Sequence, residues 1–210
     1  MFGVVEKMID DSVRAFCDQR IELASEVIAT DEKVNAFDVA IEEECLKVLA
    51  LHQPVARSLR RVTTMLKINS DLERIADLAC NIAERALAMQ ETPYFPIPDQ
   101  LTTMADDAIE MVRKALNSFV DLNVELAKEV ILIDTKVDEA NREVIHELRE
   151  LMVSEPNQVA PALHCFSASR HLERIGDLAE NIAEDVIYMV AGDIIRHQHR
   201  SFIEKPHEEF

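Results

Sequence analysis

The string LERIADLACNIAE, at Leu72–Glu84, returns one hundred residues later as LERIGDLAENIAE, at Leu172–Glu184, with eleven of thirteen positions identical. A second pair, ELASEVIATDEKV from Glu22 and ELAKEVILIDTKV from Glu125, lies 103 residues apart and keeps nine of thirteen. Two matched blocks at nearly one spacing mark an internal duplication. Any fold for this chain must therefore be built twice. The three-residue difference falls between the blocks, where LHQPVAR stands in one copy and VSEPNQVAP in the other.

Breakers are sparse, with three glycines in 210 residues, and they recur at comparable places in the two copies. This punctuation predicts three helices per copy. In the first copy a helix is expected to run to about Ile28, Thr30 or Asp31 to cap a second, and Pro54 to open a long third. In the second copy breaks are expected near Ile133–Asp134 and at Glu155–Pro156, with a last helix towards Ile195. Pro93, Pro96 and Pro98 cannot sit inside a helix and mark a linker between the copies. No alternating run rich in β-branched residues argues for a strand. The expectation is an all-α chain of two tandem three-helix bundles: residues 1–93, a linker 94–98, residues 99–197, and a polar tail 198–210.

At ~100° per residue, Leu72, Ile75, Ala76, Ala79, Ile82 and Ala83 form one broad apolar face. Glu73, Asp77, Asn81 and Glu84 form another, and Glu173, Asp177, Asn181 and Glu184 repeat it, with Glu180 replacing Cys80 at the edge. The preceding helix carries a companion row, Asp31, Asn35, Asp38 and Glu42, matched by Asp134, Asp138 and Asn141. Like charges four apart on a helix cost about 0.2–0.5 kcal/mol per pair, a cost that a bound cation removes. Carboxylate and amide oxygens suit hard or borderline cations such as Mg²⁺, Ca²⁺, Mn²⁺ and iron. An acidic stripe at helical spacing is most often a solvated outer face. Here, however, the stripes agree between copies while other surface positions have drifted.

The net charge of −18 repels phosphate backbones and anionic lipid, so nucleic-acid binding is not expected, and cations or basic protein patches are. No apolar run approaches the ~20 residues of a membrane span. The opening MFGVVEKMIDDSVRAF lacks the apolar block of a signal peptide, which predicts a cytoplasmic chain. Four cysteines without a C-x-x-C pair fit reduced, packed thiols. No nucleophile with an adjacent base and no glycine-rich phosphate loop is present.

The run from Ile41 to Leu87, together with DTKVDEANREVIHEL and HLERIGDLAENIAEDVIYM, closely resembles the PhoU proteins, regulators of bacterial high-affinity phosphate uptake. The resemblance covers all but about the last dozen residues and centres on the duplicated E-x-x-x-D-x-x-x-N. It implies tandem three-helix bundles, often homodimeric, with multinuclear metal clusters (iron, Mg, Mn or Zn) on acidic helix faces. It implies a non-enzymatic negative regulator of the phosphate-starvation response, linking the ATPase subunit of the phosphate ABC transporter to a sensor histidine kinase. Carried over, the motif falls on Glu73, Asp77 and Asn81 and on Glu173, Asp177 and Asn181. Its D-x-x-x-D companion falls on Asp134 and Asp138, but on Asp31 and Asn35 in the first copy, one charge short.

The competing class is a metal-dependent helical-bundle enzyme or metal store of the di-iron, ferritin-like kind. Glu143-x-x-His146 has the spacing but no counterpart in the first copy. His197, His199 and His207 in the tail read as a polar terminus before an adventitious site for a soft divalent ion, and His171 reads equally as a capping or solvated residue or as a ligand. Cys80, at the edge of the acidic stripe, reads as a small packing residue before a thiolate ligand. Arg57, Arg60 and Arg61, the one compact basic cluster, read as a solvated surface or as a dock for an acidic partner.

Overall fold

The computed structural model describes residues 1–92 and 95–192. Its α-helices are α1 (Phe2–Cys17), α2 (Ile21–His52), α3 (Ala56–Ala88), α4 (Asp99–Asp121), α5 (Val124–Ser154) and α6 (Val159–Ala191). Among the described residues there is no strand. Helices α1–α3 form one bundle and α4–α6 the other, joined through α3 against α6 and α1 against α4. The expected end of the last helix at Ile195 and the tail at 198–210 lie outside the described residues.

One expectation is corrected in each copy. The first helix ends at Cys17, not near Ile28, and Thr30 and Asp31 sit inside an unbroken α2. Thr30 does not cap: its hydroxyl donates to the Glu26 carbonyl at 2.7 Å, the back-bond of a threonine in mid-helix. In the second copy Ile133–Asp134 lies inside α5, which starts at Val124 behind Asn123, whose side chain accepts from the Leu126 N–H at 3.1 Å. The true breaks are glycine-free left-handed turns. Gln19 (φ 53°) and Leu122 (φ 55°) occupy equivalent places. Each turn is closed by a bond five residues back, Arg20 N–H to Ala15 C=O and Asn123 N–H to Ser118 C=O, both 2.9 Å.

The apolar stripe read on α3 is buried throughout, as is its copy on α6. Ala76, Ala79 and Ala83, with Gly176, Ala179 and Ala183, keep the centre of each stripe thin, so neighbouring helices approach closely. Larger side chains from α1 and α4 fill the flanks, notably Met8, Ile9 and Phe16 and, in the other bundle, Met104 and Met111. Burying each contributes about 1.5–3 kcal/mol. Across the bundle junction the Lys67 ammonium donates to buried Asp185 at 2.9 Å, and Arg113 of α4 pairs with Glu6 of α1.

Because Gln19 is the left-handed residue, Gln19→Gly should stabilise the chain by about 1 kcal/mol in urea unfolding. Thr30→Ala should stabilise it by about 0.5 kcal/mol, since Ala is the better residue in mid-helix. A loss of about 1 kcal/mol for Thr30→Ala would instead mean that the residue caps a helix.

Candidate metal centre

In each bundle two long antiparallel helices bring one acidic row against another. In the first bundle Asp31 and Asp38 of α2 face Glu73 and Asp77 of α3. Glu73 is held above the usual carboxylate range by burial and by the charges of Asp77, Asp38 and Asp31, with Arg74 opposing. Asp77 is raised by burial and by Asp31. The Asn35 amide donates to the second oxygen of Asp31 at 2.8 Å, and the other Asp31 oxygen is buried without a hydrogen-bond partner. Asn69 donates to both the carbonyl and the carboxylate of Asp38, at 3.0 and 2.6 Å, and so fixes that side chain towards the row.

The second bundle is the more crowded. Burial, followed by the charges of Asp138, Asp177 and Glu173, pushes Asp134 up to about 7. Burial, followed by Asp134, Glu184, Asp177 and Asp138, pushes Glu180 up to about 8. Asp177 is raised by burial, Glu173 and Asp138, against Arg170 and Arg174. A Cβ at Gly176 would lie 3.5 Å from an Asp134 oxygen, ordinary van der Waals contact, so this position would also accept the alanine that the first copy has at Ala76. One Glu173 oxygen accepts from Arg170 at 2.7 Å while the other is buried without a partner.

Glu180, Glu184 and Asp38 were not among the site residues expected from the motif. Glu184 is 5% exposed. The signal for Glu180 was visible in the repeat, where an acid replaces Cys80. In the first copy burial and the charges of Asp31, Asp77 and Glu84 push the Cys80 thiol up to about 12, so it is a neutral packing group.

Asn81 and Asn181 take a different position from Glu73 and Glu173. They line a cleft of about 490 Å³ between α3 and α6, together with Arg74, Asp77, Leu78 and their partners Arg174, Asp177 and Leu178. Every lining residue has its repeat mate opposite, so the cleft lies on the pseudo-twofold relation between the bundles. The two aspartates thus border both the acidic rows and this shared cleft.

Other sequence candidates are set aside by their surroundings. Glu143 and His146 are exposed, with His146 beside Glu150, so they do not point into a bundle core as a di-iron pair would. His171 lies in mid-α6 and does not cap; its ring accompanies the Ser167 hydroxyl at 3.2 Å, and burial followed by Arg85 and Arg174 lowers its basicity. His197, His199 and His207 lie outside the described residues.

Among the described residues, no group of three or more His, Cys, Asp or Glu side chains converges tightly enough to hold an ion by itself. The arrangement is a pair of facing rows, not a closed cage. Such rows fit a cation that keeps part of its water shell, as Mg²⁺ does. The partnerless buried oxygens of Asp31 and Glu173 and the desolvated like charges around Asp134 are what a cation would satisfy.

Comparison with known proteins follows the duplication. The family model described as "PhoU domain" matches residues 1–86 and again residues 101–186. A phosphate-specific transport system accessory protein PhoU homolog of Aquifex aeolicus is 40% identical over 199 residues, spanning 95% of this chain and 90% of the relative. The PhoU accessory protein of Escherichia coli (strain K12) is 32% identical over 197 residues, 94% of this chain and 82% of its own length. The crystal structure of PhoU from Pseudomonas aeruginosa superposes with a TM-score of 0.87 at 36% identity, covering 92% and 93% of the two chains. That of the phosphate transport system regulatory protein PhoU from Streptococcus pneumoniae gives 0.85 at 26% identity, covering 92% of each.

The crowding around Asp134 predicts opposite effects of one substitution in two conditions. In chelator, Asp134→Asn should raise stability by about 1 kcal/mol by removing a desolvated like charge. With millimolar Mg²⁺ or Mn²⁺ it should show a smaller rise in Tm than the parent, whose cluster gains more from the ion. Thermal melts with and without the cation check both; a variant destabilised in chelator would mean that Asp134 is not under like-charge stress.

Proposed function

The chain belongs to the PhoU family, and from that premise we propose that it is an accessory regulator of phosphate-specific transport that works as a cation-loaded adaptor. The observation that carries the cation is the pair of facing carboxylate rows, present in both bundles, with buried oxygens that no protein donor satisfies. Asp31, Asn35, Glu73, Asp77 and Asn81 would hold ions in the first bundle, with Asp38 beside them. Asp134, Asp138, Glu173, Asp177 and Asn181 would do so in the second, extended by Glu180. A bound divalent or trivalent ion supplies positive charge that offsets the repulsion within each row. Oxygen donors of this kind accept Mg²⁺, Mn²⁺, Zn²⁺ or iron, and geometry and availability choose among them.

The chain's own part is mechanical. Each row spans two helices, so offsetting its repulsion tightens α2 on α3 and α5 on α6. The shared cleft is bordered by Asp77 and Asp177, which couples the state of each row to the α3–α6 junction. A partner that binds the tightened arrangement better than the loosened one would have its own equilibrium shifted in return. The partners proposed are the ATPase subunit of the phosphate ABC transporter, which the accessory role of the relatives supports, and a sensor histidine kinase, which follows from the family resemblance. A cytoplasmic location and a homodimer complete the reading. No helix among the described residues is long and apolar enough to cross a membrane.

The role is tested in cells lacking the chromosomal copy. The parent chain should restore repression of a phosphate-starvation reporter in high phosphate, and Glu173→Ala with Asp177→Ala should leave the reporter at least several-fold derepressed at equal protein level. Full repression by that variant would refute a role for the second row in signalling.

A further inference from the structure

The two bundles differ at one place that the duplication makes comparable. Where α5 turns into α6, Ala162 and Cys165 are both 0% exposed and Pro161 is buried. One hundred residues earlier, Val62 is half-buried and Met65 is 41% exposed. Val120, the counterpart of Cys17, is 74% exposed. Between these side chains lies a cleft of about 270 Å³, walled by Val62 and Met65 of α3, Val120 and Leu122 at the end of α4, and Met189 of α6. The repeat therefore closes this spot in one bundle and leaves it open, apolar and larger-featured in the other.

Its charge differs as well. Arg61 borders the cleft, and Arg57 and Arg60 stand on the same first turns of α3, where the other copy has Asn157, Ala160 and Pro161. Among the described residues Arg57 and Arg61 form no ion pair, and Arg60 lies over the Tyr188 ring at 5.9 Å. Other described cations outside ion pairs, such as Arg20, Arg149 and Arg174, stand singly, whereas these three arginines share the first turns of one helix in a chain with 40 acidic and 22 basic residues.

Resting on the adaptor reading above, we propose that this cleft is the docking site for an acidic, apolar segment of the transporter's ATPase subunit: apolar side chains enter between Met65 and Val120 while flanking carboxylates meet Arg57, Arg60 and Arg61. The acidic surface elsewhere repels such a segment and leaves this corner as its approach. A membrane surface fits less well, because a chain of net charge −18 is repelled by anionic lipid and a concave cleft matches an inserted side chain better than a flat bilayer. Fully desolvated apolar anchors ringed by charge are where binding energy concentrates.

The test measures binding of the purified ATPase subunit to the full chain by calorimetry at two salt concentrations. Arg57→Glu with Arg61→Glu should weaken binding tenfold or more and flatten its salt dependence, Arg57→Lys with Arg61→Lys should retain most of it, and Met65→Asp, which removes the apolar wall and adds a repelling carboxylate, should weaken it tenfold or more. All these residues are exposed, so unchanged melting curves confirm that the variants fold. Parent-like binding by both Arg57→Glu/Arg61→Glu and Met65→Asp would overturn the docking site while leaving the adaptor role standing. No binding by the parent chain would overturn the adaptor role and the site with it. If the variants instead lose binding to phosphatidylglycerol vesicles, or lose self-association in sedimentation, while still binding the ATPase subunit, the cleft belongs to lipid or to a second copy and the proposal fails.

Discussion

Two rows of carboxylates, held face to face by helices that the core will not let separate, are the constraint from which the rest of this structure follows. The apolar stripes of α3 and α6 centre on alanine and glycine flanked by isoleucine and leucine, so the helices behind them pack closely and the acidic faces beside them are pulled together as well. The burial of those stripes is worth far more than the repulsion between the rows, which is why the repulsion survives in the fold. It appears as carboxyl groups held above their ordinary range and as oxygens buried without donors. A protein under that stress gains from anything that brings positive charge.

The second bundle carries the heavier load. Glu180 in place of Cys80 and Asp138 in place of Asn35 each add a carboxylate, while Asn141 in place of Asp38 removes one. The first bundle relieves its row internally: Asn35 donates to Asp31, and Asn69 donates to Asp38. Duplication has thus produced one row quieted by amides and one in which Asp138 and Glu173 meet Arg142 and Arg170 while Asp134 and Glu180 stay crowded by like charge. The same divergence runs through the hairpin tips, closed over Cys165 in one copy and open beside Met65 in the other.

Much of this was legible in the sequence, and the failures have physical causes. The duplication, the helical class, the buried stripe and the pairing of acidic rows follow from periodicity, because one period sets both the core face and the faces next to it. The position of the first break in each copy did not follow. Thr30-Asp31-Glu32-Lys33 has the polar pattern of a helix start, but a threonine hydroxyl can turn back on its own helix, and a long partner helix keeps α2 continuous past it. The real turns use Gln19 and Leu122 in a left-handed conformation that nothing in their side chains advertises. Asn81 and Asn181 share the helical spacing of the acidic stripe, yet they border the inter-bundle cleft, because a stripe a quarter-turn wide can face two neighbours at once. A single helix cannot reveal which neighbour will stand there.

If the facing rows exist to hold cations, the metal content of the purified chain must follow their carboxylates. The chain would be purified without affinity tag or chelator and measured by elemental analysis beside Glu73→Ala/Asp77→Ala and Glu173→Ala/Asp177→Ala, with helicity checked by circular dichroism. Stoichiometric metal in the parent, reduced selectively in each variant while helicity holds, is the result this account predicts. Equal metal in all three folded proteins, or none in any of them even after reconstitution with Mg²⁺, Mn²⁺ or iron, would contradict it and leave the rows as solvated docking faces.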